Sequence, residues 1–120
     1  MQVRESFVYV HKKAAESFTG PWERLDKNGE TVGSFQTRVG TVKGTWKVEV
    51  SDDPRAGAND LAARSVDITS KCDFSLCPNP MVGTAYDGII VLAALGVGFI
   101  RLSATITEGT DPIDVWGCLK

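Results

Sequence analysis

One histidine, three cysteines and a formal charge of -2 are all that this 120-residue chain offers to the chemistries most easily read from a sequence. Nucleophilic catalysis by serine or cysteine needs a histidine held by a carboxylate. His11 stands among Val10, Lys12 and Lys13, which supply neither nucleophile nor orienter. The expectation is a solvated edge-strand histidine and no enzyme. With 13 Lys and Arg against 15 Asp and Glu there is no basic field to hold a phosphate backbone, so nucleic acid is not an expected partner. The longest apolar run, Gly88 to Ile100, is broken by glycine. It falls short of the roughly 18 to 20 residues of a membrane span, and no membrane partner is expected. The opening Met1-Gln2-Val3-Arg4-Glu5-Ser6 has no apolar stretch behind a positive start, so no secretory signal is expected. That reading puts the chain in a cytoplasm, or in a particle built there.

An odd cysteine count argues against a framework of paired disulfides. Cys72 and Cys77 bracket Asp73-Phe74-Ser75-Leu76, a spacing that fits a small disulfide or two metal thiolates, while Cys118 lies near the end of the chain. A zinc site needs a fourth ligand and His11 is in another segment, so free, partly buried thiols and no metal are expected. Asp52, Asp53, Asp60 and Asp67 crowd one loop but match no EF-hand pattern. They read as solvated turns in which aspartates bond nearby amides. Gly40, Gly44, Gly96, Gly98 and Gly109 bind no phosphate, because no helix start follows them in the required pattern. No cofactor is expected.

What the chain does contain is alternation. In Gly44-Thr45-Trp46-Lys47-Val48-Glu49-Val50-Ser51 the apolar Trp46, Val48 and Val50 interleave with Thr45, Lys47 and Glu49. From Gly98 to Thr107, Ile100, Leu102, Ala104 and Ile106 take one side and Arg101, Ser103, Thr105 and Thr107 the other. Both read as half-buried strands, and their separation predicts a long-range antiparallel sheet. Ser34 to Val39 alternates in the same way, and Gly40 to Gly44 is short enough for a hairpin into the Trp46 strand. Further strands are read at Ser6–Val10, Ser65–Thr69 and Ile113–Cys118, the last entered through hairpin-loop chemistry at Glu108–Pro112, while the continuous apolar run Ile89–Leu95 reads as a strand plus a turn, with a short buried helix as the alternative. Short helical turns are expected at Lys12–Ser17 and Leu61–Arg64, a turn at Asp26–Glu30, and a loop from Cys72 to Pro80.

Seven or eight short strands with no helix of ordinary length predict an all-β, single-domain antiparallel β-sandwich over residues 1–120, jelly-roll or Greek-key-like. Among the aromatics, Trp46 shares a face with Val48 and Val50 and reads as core. Trp116 lies opposite Ile113 and Val115, which makes it the first choice for an interface anchor. Trp22, after Pro21 in a loop, is the second, with Tyr86 a further candidate. The same three residues would serve to stack on sugar rings.

The run Gly44 to Asp53, the later Gly98-Phe99-Ile100-Arg101-Leu102 and the closing segment Gly109 to Lys120 resemble small virion proteins of tailed bacteriophages. The likeness covers Phe35 to Lys120, and the Cys72–Pro80 loop departs from it. Discoidin-like and other sugar-binding sandwiches share the same strand logic. The resemblance implies a structural virion protein that decorates or cements the capsid, or forms part of the tail, through strand-edge and loop contacts. Its expected partners are copies of itself, as dimer or trimer, and the major capsid protein. The N-terminal arm, residues 1–6 with Arg4 and Glu5, would extend onto a neighbouring subunit. A carbohydrate-binding module using Trp22, Trp116 or Tyr86 is the alternative.

Overall fold

The computed structural model describes residues 7–25, 31–60, 62–95 and 98–119. Arg4 and its arm, the Asp26–Glu30 turn and Leu61 lie outside them. In chain order the strands are β1 (Phe7–Lys12), β2 (Phe18–Thr19), β3 (Glu23–Arg24), β4 (Thr31–Val39), β5 (Lys43–Ser51), β6 (Val66–Asp67), β7 (Asp73–Leu76), β8 (Met81–Val82), β9 (Tyr86–Leu95), β10 (Phe99–Glu108) and β11 (Ile113–Leu119). The front sheet runs β1-β11-β4-β9-β7 and the back sheet β2-β10-β5-β6, with β3 also on β10 and β8 on β5. Every pairing is antiparallel. With β3, β7 and β8 taken as additions at the sheet margins, the remaining eight strands fall in jelly-roll order: first, last, third and sixth in one sheet, second, seventh, fourth and fifth in the other.

The two alternating runs pair with each other as their patterns require. Val50 lies opposite Ile100, Val48 opposite Leu102 and Trp46 opposite Ala104. These side chains face Phe35, Val39, Ile90, Leu92, Ile113 and Val115 of the front sheet, all buried in one continuous core. Each fully buried aliphatic side chain contributes about 1.5–3 kcal/mol through removal from water. Two pair-forming strands this far apart in sequence give the fold its dominant long-range contact, and β4–β9 supplies the equivalent in the front sheet.

Two expected hairpins are instead crossings between sheets. β4 pairs with β9 and β11 while β5 pairs with β10, so Gly40–Val42 carries the chain across the sandwich rather than back along it. Val42 is buried in the core, where a hairpin-loop residue would be wet. Glu108–Pro112 likewise takes the chain from the back sheet to the front. The two crossings lie side by side. Thr41 donates its backbone N–H and its hydroxyl to Asp111 Oδ2 at 2.8 and 2.5 Å. Gly109 has φ +101, and a Cβ there would sit 2.6 Å from the Thr41 carbonyl oxygen.

Other expectations shift locally. Lys12–Ser17 forms no helical turn; it crosses between sheets, with the Ala15 amide donating to the Thr110 carbonyl. The helical turn read at Leu61–Arg64 lies earlier, as a 3-10 turn over Pro54–Ala58 capped by Asp53, with Asn59 closing it at φ 54. The strand read at Ser65–Thr69 narrows to β6, followed by a 3-10 turn at Thr69–Lys71. The loop from Cys72 to Pro80 contains β7, which extends the front sheet. Its end serves β5: Asn79 accepts from the Trp46 amide at 2.9 Å and donates to the Trp46 carbonyl at 3.2 Å, standing in for a strand neighbour. Among the described residues no helix is long and apolar enough to cross a membrane.

Candidate protein-binding face

The outer surface of the front sheet carries two parallel rows set by register. In the first, His11 pairs with Asp114, Asp114 with Arg38, and Arg38 with Asp87. In the second, one step along the strands, Val8 pairs with Trp116, Trp116 with Gln36, Gln36 with Ile89, and Ile89 with Leu76. Val91 follows Ile89 outward on β9, and Cys118 is half-buried at the far end of β11. Val8 is 66% exposed, Leu76 63% and Val91 40%. Scattered apolar residues on a surface are ordinary; here they align into one stripe with a tryptophan near its middle and charge along one rim.

Val8 reaches this face through an irregularity. The register of β1 on β11 shifts between Val8 and Val10, so Tyr9 and Val10 both turn to the core while Val8 stays outside with Trp116. The charged row is internally paired: His11 Nδ1 contacts Asp114 Oδ1, and Arg38 Nε donates to Asp87 Oδ1 at 2.7 Å. The hydrogen bond and charge of Asp87 push the Arg38 guanidinium further toward its protonated form. His11 therefore has a carboxylate partner that local sequence did not offer. Among the described residues, no serine, threonine or cysteine hydrogen-bonds it.

Tyr86, expected at the interface, instead turns inward from β9 opposite the buried Val39 and packs, half-buried, against the core. Its hydroxyl accepts from Trp46 Nε1 at 2.9 Å and lies 3.6 Å from Cys77 Sγ, which is 3.4 Å from Thr37 Oγ1. This chain of contacts satisfies the polar atoms buried between the sheets. Burial raises the Tyr86 pKa well above that of a free phenol and also raises that of the Cys77 thiol. The ring borders an open recess of about 670 Å³ lined by Arg38, Val39, Ala85, Asp87, Pro112 and Asp114.

Trp22 does not join the face. It is 6% exposed, against the expectation of an exposed loop tryptophan, and packs with Ala56, Ala63 and Phe99 in a small second core over the back sheet. The Arg101 guanidinium lies 4.3 Å from its ring centroid. Arg101 Nε donates to Glu49 Oε1 at 3.1 Å, and Ser65 donates to Glu49 Oε2 at 2.7 Å. Burial opposes the Glu49 charge, yet the Ser65 and Arg101 hydrogen bonds and the Arg101 and Lys47 charges outweigh it, leaving the carboxyl below its ordinary value.

The remaining polar candidates hold the fold locally. Cys72, Cys77 and Cys118 are free thiols, and burial raises Cys72 to about 11. Asp53 accepts from the Arg55 and Arg64 amides, Asp60 from Ala62, Asp67 from Thr69, and Asp52 from Gly98. Hydrogen bonding from Arg55 and these amides keeps the Asp53 carboxyl strongly acidic. Among the described residues, no group of three or more His, Cys, Asp or Glu side chains is placed to hold a metal. No protein-family model matches the chain, and no curated protein or solved structure matches it either.

Proposed function

We propose that this chain is a structural virion protein, a decoration or cement subunit of a bacteriophage head that acts through protein contacts on the front sheet. One observation supports it above the others: the Val8–Trp116–Gln36–Ile89–Leu76 row, apolar but for Gln36, whose outer members Val8 and Leu76 are 66% and 63% exposed. An apolar centre containing tryptophan beside a charged rim is the anatomy of a protein interface. The jelly roll itself is neutral, since capsid and lectin domains both use it. The contacts with head protein named by the resemblance are the reason for preferring a particle to a free partner.

The test is co-sedimentation of the purified chain with heads of the same virus assembled without it. Saturable binding by the wild type is expected, weakened about thirtyfold or more by Trp116→Asp, the scale of losing a central aromatic anchor. Equal occupancy by the wild type and Trp116→Asp overturns the reading. A carbohydrate-binding role has one specific feature in its favour, the recess where Tyr86 stands beside Asp87 and Asp114. Glycan binding lost in Tyr86→Ala and retained in Trp116→Asp would establish that role in its place.

A further inference from the structure

The charged row of the front sheet is complementary to itself. Read across the sheet it runs His11, Asp114, Arg38, Asp87 on β1, β11, β4 and β9. A second copy turned by a two-fold axis parallel to the strands, passing between β11 and β4, presents the same row in reverse order at the same height. Asp114 then faces the partner's Arg38, Arg38 faces the partner's Asp114, and His11 faces the partner's Asp87. The apolar row obeys the same operation, setting Trp116 over the partner's Gln36 and Val8 over the partner's Ile89, while Leu76 on β7 lies beyond the partner's β1.

Axes that lie along a strand or run across the strands fail on charge, and those between β4 and β9 or between β1 and β11 pair only Arg38 with the partner's Asp87 or only His11 with the partner's Asp114. An axis along β4 would stack Arg38 on the partner's Arg38 and Asp114 on the partner's Asp87. An axis running across the strands would lay the charged row over the neutral Ser34 and Val91, which pair in the row beyond. Like charges in contact cost energy, and the axis between β11 and β4 is the one that gives all four members of the row an opposite partner. The four strands that this axis superposes, at ~4.8 Å per strand and ~3.3 Å per residue, measure about 19 by 23 Å over seven residues. That footprint, about 440 Å², is roughly half of the ~800 Å² per partner of a standard-size interface and belongs with the smaller, weaker ones.

We infer that the front sheet is a self-association surface, and that the occupant of its apolar stripe is a second copy of this chain in an isologous, face-to-face dimer. The inference deepens the assembly reading and rests on it for its biological setting. The solution dimer, however, is measured without any particle, so either can fail alone.

The experiment uses two charge reversals, Arg38→Asp and Asp114→Arg, on exposed or half-exposed positions outside the core. Wild-type mass by analytical ultracentrifugation is expected to be that of a dimer. Each variant alone brings two like-charge contacts into the symmetric interface and is expected to weaken the dimer at least tenfold. Mixed together, the two variants restore opposite charges at both contacts, since one chain is then acidic at both positions and the other basic at both. The mixture is therefore expected to form a heterodimer, whereas neither variant pairs with itself. Rescue on mixing also shows that both variants remain folded. A monomeric wild type, a trimer, or single variants that dimerise as the wild type does overturns the inference. A monomeric wild type that still sediments with heads would leave the assembly reading standing and make the head protein the occupant of the stripe.

Discussion

The two outer faces of the sandwich solve the same problem differently. Each carries an outward aromatic residue and buried or paired charges, but among the described residues only the back sheet has its cover built into the chain. There the Pro54–Ala58 turn and the segment around Trp22 fold over Phe99 and Arg101, and the Arg101–Glu49 pair is shielded from water. The front sheet has no such segment among the described residues, and Val8, Leu76 and Val91 stay exposed. Loops that close on a face make it part of the folding unit. The face left bare among the described residues, bearing a tryptophan and an ordered charge row, is the one to which the proposed contacts are assigned.

If that contrast is right, the tryptophans on the two faces have opposite dependence on folding and association. Trp22→Ala should be the most damaging change outside the main core. It empties the second core and uncovers Arg101, and a loss of about 3–5 kcal/mol is expected. Urea unfolding measures it, and a loss below about 1 kcal/mol would mean that the cover is ornamental to stability.

Arg101→Ala comes next. It leaves Glu49 in a nearly closed site with Ser65 and, at 3.7 Å, Lys47 as its remaining partners. A loss of about 3 kcal/mol is expected, because a buried carboxylate without its main partner is left uncompensated. The double variant Glu49→Leu with Arg101→Met should recover most of it, since an apolar pair of similar volume removes both desolvation costs. A double variant no more stable than Arg101→Ala would show that packing on Trp22, and not the charge, is what Arg101 supplies.

Glu49 also ties the covered face to pH. Its carboxyl is below its ordinary value of 4.5 in the fold, so its contribution is fully present above that pH and is lost as acidity increases past the lower folded value. Glu49→Gln should therefore flatten the acid limb of the stability profile below about pH 4.5, by at most about 1.4 kcal/mol per pH unit for one proton. Asp53, Asp67 and Asp111 are lowered as well and keep part of the slope. Identical acid limbs for the variant and the wild type would remove Glu49 from the account.

Much of this was legible in the residues. Periodicity of two around Trp46 and around Leu102 specified both the strands and the faces they bury, and their mutual pairing followed from the match of two one-sided stripes. Crossings were not legible from loop length, because three residues serve a hairpin and an arch equally well. The usable signal at Gly40–Val42 was Val42, an apolar residue with no reason to be in a wet loop. Trp22 was misplaced for the opposite reason: its burial depends on Ala56 and Ala63, more than thirty residues away. His11 and Asp114 are joined only by the register of β1 on β11. The stripe itself needs the shift between Val8 and Val10, which no alternation pattern announces. A site assembled from one residue on each of several strands leaves no local motif, and Trp116 alone, outward on a closing strand, pointed to it.

The smallest effect on folding is expected at that residue. Trp116→Ser removes a half-buried side chain whose register neighbours on this face, Val8 and Gln36, do not close over it, so the monomer should lose no more than about 1 kcal/mol, in the range of surface changes. The measurement needs care with concentration, because anything that binds the folded chain adds to its apparent stability. Unfolding of the wild type followed from about 1 µM to about 100 µM should shift to higher denaturant with concentration, while the variant should not shift at all. Extrapolated to low concentration the two curves should nearly coincide. If Trp116→Ser instead costs as much as Trp22→Ala at every concentration, the front face is part of the folding unit too, and the difference between the two faces disappears.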